Sequence, residues 1–387
     1  MTDQVGLTNS IMSDSILSTL PGSEPIRVGI VGYGYSAKTF HIPLLTSNEN
    51  FKFTSISSSQ KETLESKYPD LVVFNSPEAL IKDSNVQLIV ITAPNAVHFS
   101  LAKLALENGK HVVLEKPMCN TLTEAMELVT YSTSQGLLLS TFHNRRWDGD
   151  FLTVKSVIDA NKLGDVRVFE SRMDRFRPVV RDRWRENPGP GSGIFYDLGS
   201  HLLDQALTLF GVPTSVSGTS VALRPGGSTV DFFDVHLHYE DSKVEVILHS
   251  GPYFAGCNPR FTVCGEKGTY VKFGVDVQED QLKQGITPAD ADYGVESKVA
   301  SAAKSGGLYT PPGESEVETL DGRYQAYFEN IAGVLHGESG CESHVQGAQV
   351  VWVLFLLELC QASCDKGVRL TVKDSSAGLP EYPMPSK

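Results

Sequence analysis

The stretch GSGIFYDLGSHLLDQALTLF, residues 191 to 210, places Asp197 four residues before His201 and Asp204 three residues after it. Spacings of three and four put side chains on one face of a helix. Three such groups on one face can hold a metal, move protons, or brace the helix. A histidine titrates near neutrality, which suits proton transfer to or from a hydroxyl. An aspartate one turn away can orient that hydroxyl. Leu198, Leu202, Ala206 and Leu209 supply an apolar stripe for packing. Asp204 reads as a structural hydrogen-bonding partner. A second reactive group is Lys116, in Glu115-Lys116-Pro117 after the apolar run HVVL. A lysine there can stabilise developing alkoxide charge. The bland reading is a solvated lysine before a turn proline. His143, Asn144 and Arg145 follow a further apolar run and are candidate substrate contacts.

These groups need a scaffold. From residue 26 the pattern is regular. IRVGIVGYG is an apolar run ending in glycines, and AKTFHIPLL begins a helical stretch. Gly32, Gly34 and Ala37 form a G-x-G-x-x-A fingerprint, with Tyr35 and Ser36 between. Gly32 permits the tight turn, Gly34 lets backbone approach a pyrophosphate, and Ala37 allows close helix–strand packing. The helix N-terminus then turns free N–H groups toward phosphate. Strand candidates recur at 51–56, 71–74, 87–92, 111–114 and 137–141, with helical segments at 60–67, 76–82, 97–108 and 121–135. Such alternation predicts an α/β fold with a doubly wound parallel sheet. Ligands of open α/β sheets bind beyond the carboxyl ends of strands, where Lys116 and His143–Arg145 fall.

The cofactor's adenosine end also leaves a trace. NAD-binding units usually carry Asp or Glu at the tip of the second strand. Here the tip reads Ser57-Ser58-Ser59-Gln60-Lys61. Ser57, Ser58 and Lys61 can accept a 2′-phosphate that a carboxylate would repel. The expectation is NADP(H) over NAD(H); the alternative is a polar turn that tolerates either.

From about residue 151 the pattern changes. A helix over 151–164 precedes strand candidates at 166–176, 214–223, 232–239, 243–249, 260–264 and 269–273, then helices at 322–336 and 344–366. Short links between successive strands imply a mostly antiparallel sheet in an α+β arrangement. Residues 277–320 are expected to be a long excursion with little regular structure. The expected division is a flexible tail at 1–25, a dinucleotide-binding domain at 26–148, a substrate-binding and oligomerisation domain at 149–373, and a flexible tail at 374–387. RMDRFRPVVRDRWRE packs six arginines into residues 172–185. It reads as a solvated ion-paired loop, a substrate or cofactor contact, or a nucleic-acid surface. His143–Arg145 are expected nearer the substrate than this loop.

Composition narrows the partners. The 387 residues are 41% apolar and 20% charged, with a formal net charge of −13. That sign disfavours nucleic acid and anionic membranes. No apolar run approaches the ~20 residues of a membrane span, and VVWVLFLLELC (350–360) reads as a buried helix. The N-terminal stretch lacks the marks of a secretory signal or a transit peptide; Met12 is an alternative start to Met1. Six cysteines without CxxC pairs or zinc spacing suggest buried thiols in a reducing cytoplasm. No metal site is expected.

Over residues 26–373 the chain resembles the Gfo/Idh/MocA oxidoreductases. The resemblance is carried by GIVGYGYSAKTFHIPLL, TAPNAVHFSLAKLALENGKHVVLEKP and GSGIFYDLGSHLLDQ, in order. FHNRRWDGDF and RWRENPGPGSG make it similar to the NADP-dependent scyllo-inositol dehydrogenase branch. The resemblance implies that Lys116, Asp197 and His201 act together in catalysis. It also implies that Pro94, Asn95, His98, Glu115 and Lys116 help hold the cofactor, and that the substrate is a cyclic polyol or sugar. It implies homodimers or homotetramers, formed through the second-domain sheet. The activity expected is oxidation of a secondary alcohol to a ketone or lactone. Alternatives are a catalytically silent dinucleotide-sensing regulator and a dehydrogenase of a dihydrodiol or bilin.

Overall fold

The computed structural model describes residues 17–20, 22, 24–182, 186–299, 306–311 and 313–384. The first half alternates β1 (Ile26–Val31), α1 (Ile42–Thr46), β2 (Phe51–Ser57), α2 (Lys61–Lys67), β3 (Val72–Phe74), α3 (Pro77–Ile81), β4 (Leu88–Ile91), α4 (His98–Glu107), β5 (His111–Leu114), α5 (Leu122–Ser134) and β6 (Leu139–Thr141). The six strands are parallel in the order β3-β2-β1-β4-β5-β6. Helices cover both faces, so the central strands are apolar throughout: all four residues of β4 are fully buried. The order reverses between β1 and β4, which is where such sheets open a ligand crevice.

The second half contains α6 (Gly149–Asp159), β7 (Val166–Arg172), α7 (Ser200–Phe210), β8 (Ser215–Val221), β9 (Phe232–Tyr239), β10 (Val244–Ser250), β11 (Pro259–Gly265), β12 (Gly268–Phe273), α8 (Gln278–Lys283), β13 (Gly306–Thr310), β14 (Gly313–Val317), α9 (Gln325–Leu335), α10 (Gly347–Lys366), β15 (Leu370–Thr371) and α11 (Val372–Ser375). Nine strands form one sheet, ordered β14-β13-β12-β11-β7-β10-β9-β8-β15. Every pairing is antiparallel except β7 with β10. In β9, buried Phe233, Val235, Leu237 and Tyr239 alternate with Phe232, Asp234, His236 and His238 on the other, less buried face. One face therefore packs on helices and one stays open.

α10 joins the two halves, packing on α5 and β6 of the first and on α7 and β8 of the second. By length and composition it could cross a membrane, contrary to the expectation that no run would. Its most apolar window is 67% buried inside the protein.

Four further expectations need correction. The 277–320 excursion is not irregular throughout: Gln278–Lys283 is helical, and β13 and β14 form a hairpin that extends the sheet edge. The expected C-terminal tail is pinned as far as it is described. Trp352 Nε1 donates to Pro380 O at 2.8 Å, Gln349 Nε2 donates to Pro383 O at 2.8 Å, and Tyr382 is buried. Part of the expected N-terminal tail is also anchored, since Ser18 N donates to Gly136 O and Leu20 N to Leu335 O, both at 2.8 Å. Residues 1–16, with Met1 and Met12, lie outside the described residues. The six cysteines are all unpaired, and Cys257 is exposed rather than buried.

Candidate active site

The fingerprint sits at the switch point. Gly32 has φ +98°, a conformation open to glycine, and a Cβ there would lie 3.1 Å from Thr92 Oγ1 at the tip of β4. A Cβ at Gly34 would meet nothing within 4 Å, so its backbone faces open space, as a pyrophosphate cradle requires. Ala37 is fully buried, which lets the first helix sit close on the sheet. These features fit a dinucleotide. That helix contains a π-helical turn, Ala37–His41, before α1. A second π turn, Phe195–Gly199, leads into α7 and carries Asp197. Such turns often mark functional sites. The Asp197–His201 spacing therefore spans a π turn and the start of α7 rather than one regular α turn.

Lys116 leaves the end of β5 and donates through Nζ to Asp197 O at 2.8 Å and to Asp197 Oδ1 at 2.9 Å. The two side chains are 12% and 17% exposed. His201 is buried, and its Nδ1 has no hydrogen-bond partner among the described residues. Burial, then repulsion from Lys116, Arg145, His143 and Arg260, holds its imidazole well below the usual histidine range. His201 is thus neutral and able to accept a proton at neutral pH. His143 stands edge-on to it, ring centroids 6.4 Å apart, with neither ring nitrogen hydrogen-bonded. Burial depresses its pKa too.

Behind these groups lies a polar scaffold. Arg146 grips Asp204 through two hydrogen bonds of 2.9 and 2.6 Å, both side chains almost fully buried. Asp204 is thereby a brace for α7. Glu115 accepts from Ser36 Oγ, from His41 Nε2 at 2.8 Å, and from Lys116 N at 3.2 Å. Burial pushes its pKa up, but His41, Ser36 and Lys116 outweigh that and bring it to about 2. Glu115 thus ties the fingerprint helix to the Lys116 loop. His98 is fully buried, with Nδ1 2.9 Å from Pro117 O and Nε2 2.9 Å from Ala93 O. It braces the two loops that carry Ala93 and Pro117. Pro94 is exposed beside the turn Asn95–Val97. Asn95 O accepts weakly from Asn120 Nδ2 at 3.4 Å.

At the tip of β2, Ser57 is buried and its carbonyl accepts from Gly32 N at 3.0 Å; Ser58 Oγ accepts from Gln60 N at 3.0 Å. Lys61 lies at the start of α2. Its ammonium lies 3.6 Å from Glu65, with both side chains about half exposed. Lys38, in the fingerprint helix, donates to Gln60 Oε1 at 3.3 Å and lies over the Tyr33 ring at 4.3 Å. Sequence reading missed it because it follows the fingerprint rather than the strand tip.

Asn144 is buried, and Arg145 contacts Asp148 at 3.1 Å and Glu279 at 3.5 Å. Glu279 also accepts from Tyr35 OH at 2.6 Å, so α8 bridges to the fingerprint. Nothing local in the sequence pairs residues 35 and 279. The arginine-rich segment lies nearer the site than expected. Arg175 and Arg177 line a pocket together with Asp197. Arg183 and Arg185 lie outside the described residues. Among the described residues, no group of three or more His, Cys, Asp and Glu side chains is placed to hold a metal ion.

A parallel sheet with a dinucleotide cradle at its switch point, facing a lysine, an aspartate and a neutral histidine, defines a Rossmann-fold oxidoreductase. The model of the oxidoreductase family's NAD-binding Rossmann domain matches residues 26–143, and that of its C-terminal alpha/beta domain matches residues 155–373. The chain belongs to the Gfo/Idh/MocA oxidoreductase family. It is 46% identical over 341 residues to the uncharacterized oxidoreductase YdgJ of Escherichia coli, covering 87% of this chain and 96% of YdgJ. It is 36% identical over 313 residues to scyllo-inositol 2-dehydrogenase (NADP(+)) IolW of Bacillus subtilis, covering 80% and 86%. The solved structure of YPO2259 from Yersinia pestis superposes with a TM-score of 0.83 at 41% identity, covering 90% and 98%.

Proposed function

We propose that this protein interconverts a secondary alcohol and a ketone or lactone on a cyclic polyol or sugar, using NADP(H). The observation that carries the reading is the meeting of Lys116, Asp197 and a neutral His201 beyond the end of β5. The nicotinamide, when bound, supplies the hydride acceptor. His201 takes the hydroxyl proton as the carbonyl forms. Lys116 donates to the reacting oxygen and stabilises its developing negative charge. Asp197 holds Lys116 in place and orients the hydroxyl, and His143, Asn144 and Arg145 border the substrate. The cradle is Gly32, Gly34, Tyr35, Ser36 and Ala37, closed by Asn95, Glu115 and Lys116. The NADP(H) preference rests on the absence of a carboxylate at Ser57 and Ser58 and on Lys38 beside Gln60. The open face of the nine-stranded sheet supports a homodimer or homotetramer, and the unpaired cysteines support a cytoplasmic location. The relationship to IolW supports the substrate class.

The test follows reduced-nicotinamide absorbance with inositols, aldoses and ketoses, each with NADP+ and NAD+. Turnover of a polyol or sugar, faster with NADP+, is the expected result. Cofactor binding without turnover across the panel, together with a stable complex with a transcription factor, would instead mark a dinucleotide-sensing regulator.

A further inference from the structure

Beside the Lys116–Asp197 pair lies a pocket that the proposed reaction does not explain. Its wall is an extended segment following β7. Arg175 N donates to Gly251 O at 3.1 Å, Phe254 N donates to Arg175 O at 3.2 Å, and Arg177 N donates to Pro252 O at 2.8 Å. In such a strand, residues two apart point to one side. Arg175 and Arg177 therefore share the face that lines the pocket with Gly193, Ile194, Asp197 and Pro252, while Phe176 between them is exposed. The pocket's third arginine is neutralised, since Arg224 pairs with Glu186 at 3.1 Å and Asp231 at 2.8 Å. Arg172, earlier in the segment, pairs with Asp174 at 3.1 Å. Arg175 differs from both: its guanidinium makes no hydrogen bond or ion pair with a described residue. Burial, then repulsion from Arg177, pulls its pKa down to about 10 against the attraction of Asp197. A half-buried cation that no described residue pairs with is costly, and an anion of matching shape relieves that cost.

We propose that the substrate carries a carboxylate, bound by Arg175 with Arg177 alongside, while its reacting hydroxyl lies at Lys116, Asp197 and His201. The substrate class is then an acidic sugar or polyol: a hexuronate or a carboxylated cyclitol. The guanidinium fork matches a planar carboxylate in two parallel hydrogen bonds. One guanidinium left unpaired by the described residues calls for a monoanion. Asp197 nearby repels any anion, a phosphate dianion about twice as strongly as a carboxylate. The inference rests on the alcohol-oxidising reading above but makes a separate claim.

The experiment compares kcat/KM for matched hexose, hexuronate and hexose phosphate with NADP+, in the wild type, Arg175→Met and Arg175→Lys. The hexuronate is expected to exceed the hexose by at least about tenfold, the scale of one charge-assisted hydrogen bond. Arg175→Met should collapse the hexuronate-to-hexose ratio by about tenfold to a hundredfold, and Arg175→Lys should restore part of it. Unchanged NADPH binding by fluorescence shows that the variants are folded. Equal losses on hexose and hexuronate, or a preference for the phosphate, overturn the carboxylate assignment. If no sugar turns over, the proposed reaction fails. Calorimetry on the NADP+-loaded protein then still decides this inference: D-glucuronate binding more tightly than D-glucose, with the difference lost in Arg175→Met, supports it, and equal binding overturns it.

Discussion

Replacing Lys116 with Met keeps most of the side chain's length and removes its charge. Two hydrogen bonds to Asp197 go with it, at 2.8 and 2.9 Å. At 2.9 Å and an effective dielectric of ~20, the gross ion-pair attraction is roughly 6 kcal/mol. Desolvation offsets most of that, leaving about 1.5–3 kcal/mol for a charge-assisted bond. The donor to the developing alkoxide is lost as well, so turnover should fall by ~10²–10⁴. The more discriminating effect is on pH. His201 must be neutral to accept the proton. Its pKa is depressed by burial first and by Lys116 next. Wild-type kcat/KM for oxidation should therefore be level through neutral pH and decline only at acid pH. Removing Lys116 removes a repelling cation, so the His201 pKa rises and the acid limb moves to higher pH. Asp148, raised by burial to about 6, can add its own inflection in both proteins, so the comparison is of profiles rather than of single midpoints. Profiles that superimpose, or a variant within tenfold of wild-type turnover, would refute the assigned roles.

Ser57→Asp places a carboxylate at the tip of β2; kcat/KM should drop about tenfold to a hundredfold for NADP(H) and hold or improve for NAD(H). Lys38→Met should weaken NADP(H) more than NAD(H), and equal Kd changes by fluorescence titration would place the 2′-phosphate elsewhere. Arg146→Met strands the buried Asp204 carboxylate and should cost ~3–5 kcal/mol in urea unfolding; a loss under 1 kcal/mol would mean that Asp204 finds water. Glu115 has a folded pKa near 2 against an ordinary value of 4.5, so its contribution is present above that ordinary value and lost as pH falls toward 2. Glu115→Gln should remove up to ~3 kcal/mol at neutral pH and flatten the acid side of the stability curve, read by thermal melts across pH.

Elements with strong periodicity were legible in the sequence. The IRVGIV run, the glycines after it and the alternating FFDVHLHY each follow from how many faces of a strand are covered. The reactive trio was legible as residue types, because Lys116 ends a strand and Asp197 and His201 share a short stretch of chain. Contacts set by tertiary placement were not. Tyr35 and Glu279 are 244 residues apart, and α8 sits in a stretch that reads as polar loop. β13 and β14, GGLYT and GESEV, form the hairpin at the sheet's edge with little apolar content, so no pattern marks them. Arg175 looks like any loop arginine until the strap along Gly251–Phe254 turns it toward Asp197. Lys61 was expected to face the cofactor, and its ammonium also has an i,i+4 carboxylate, Glu65, within 3.6 Å.

The position of α10 bears on how the protein is made. The first sheet is complete once β6 (Leu139–Thr141) has left the ribosome, yet the helix that packs on α5 and β6, Gly347–Lys366, is made only after all the strands from β7 to β14. Until then the nascent chain exposes an apolar surface over α5 and β6. When α10 appears, it is itself apolar on nearly every side and must find two partners at once. Vectorial folding thus leaves both halves unfinished until α10 is made, a window in which a chaperone or a misplaced neighbour competes for the same surface. A gene fragment ending before residue 347 would never close that window.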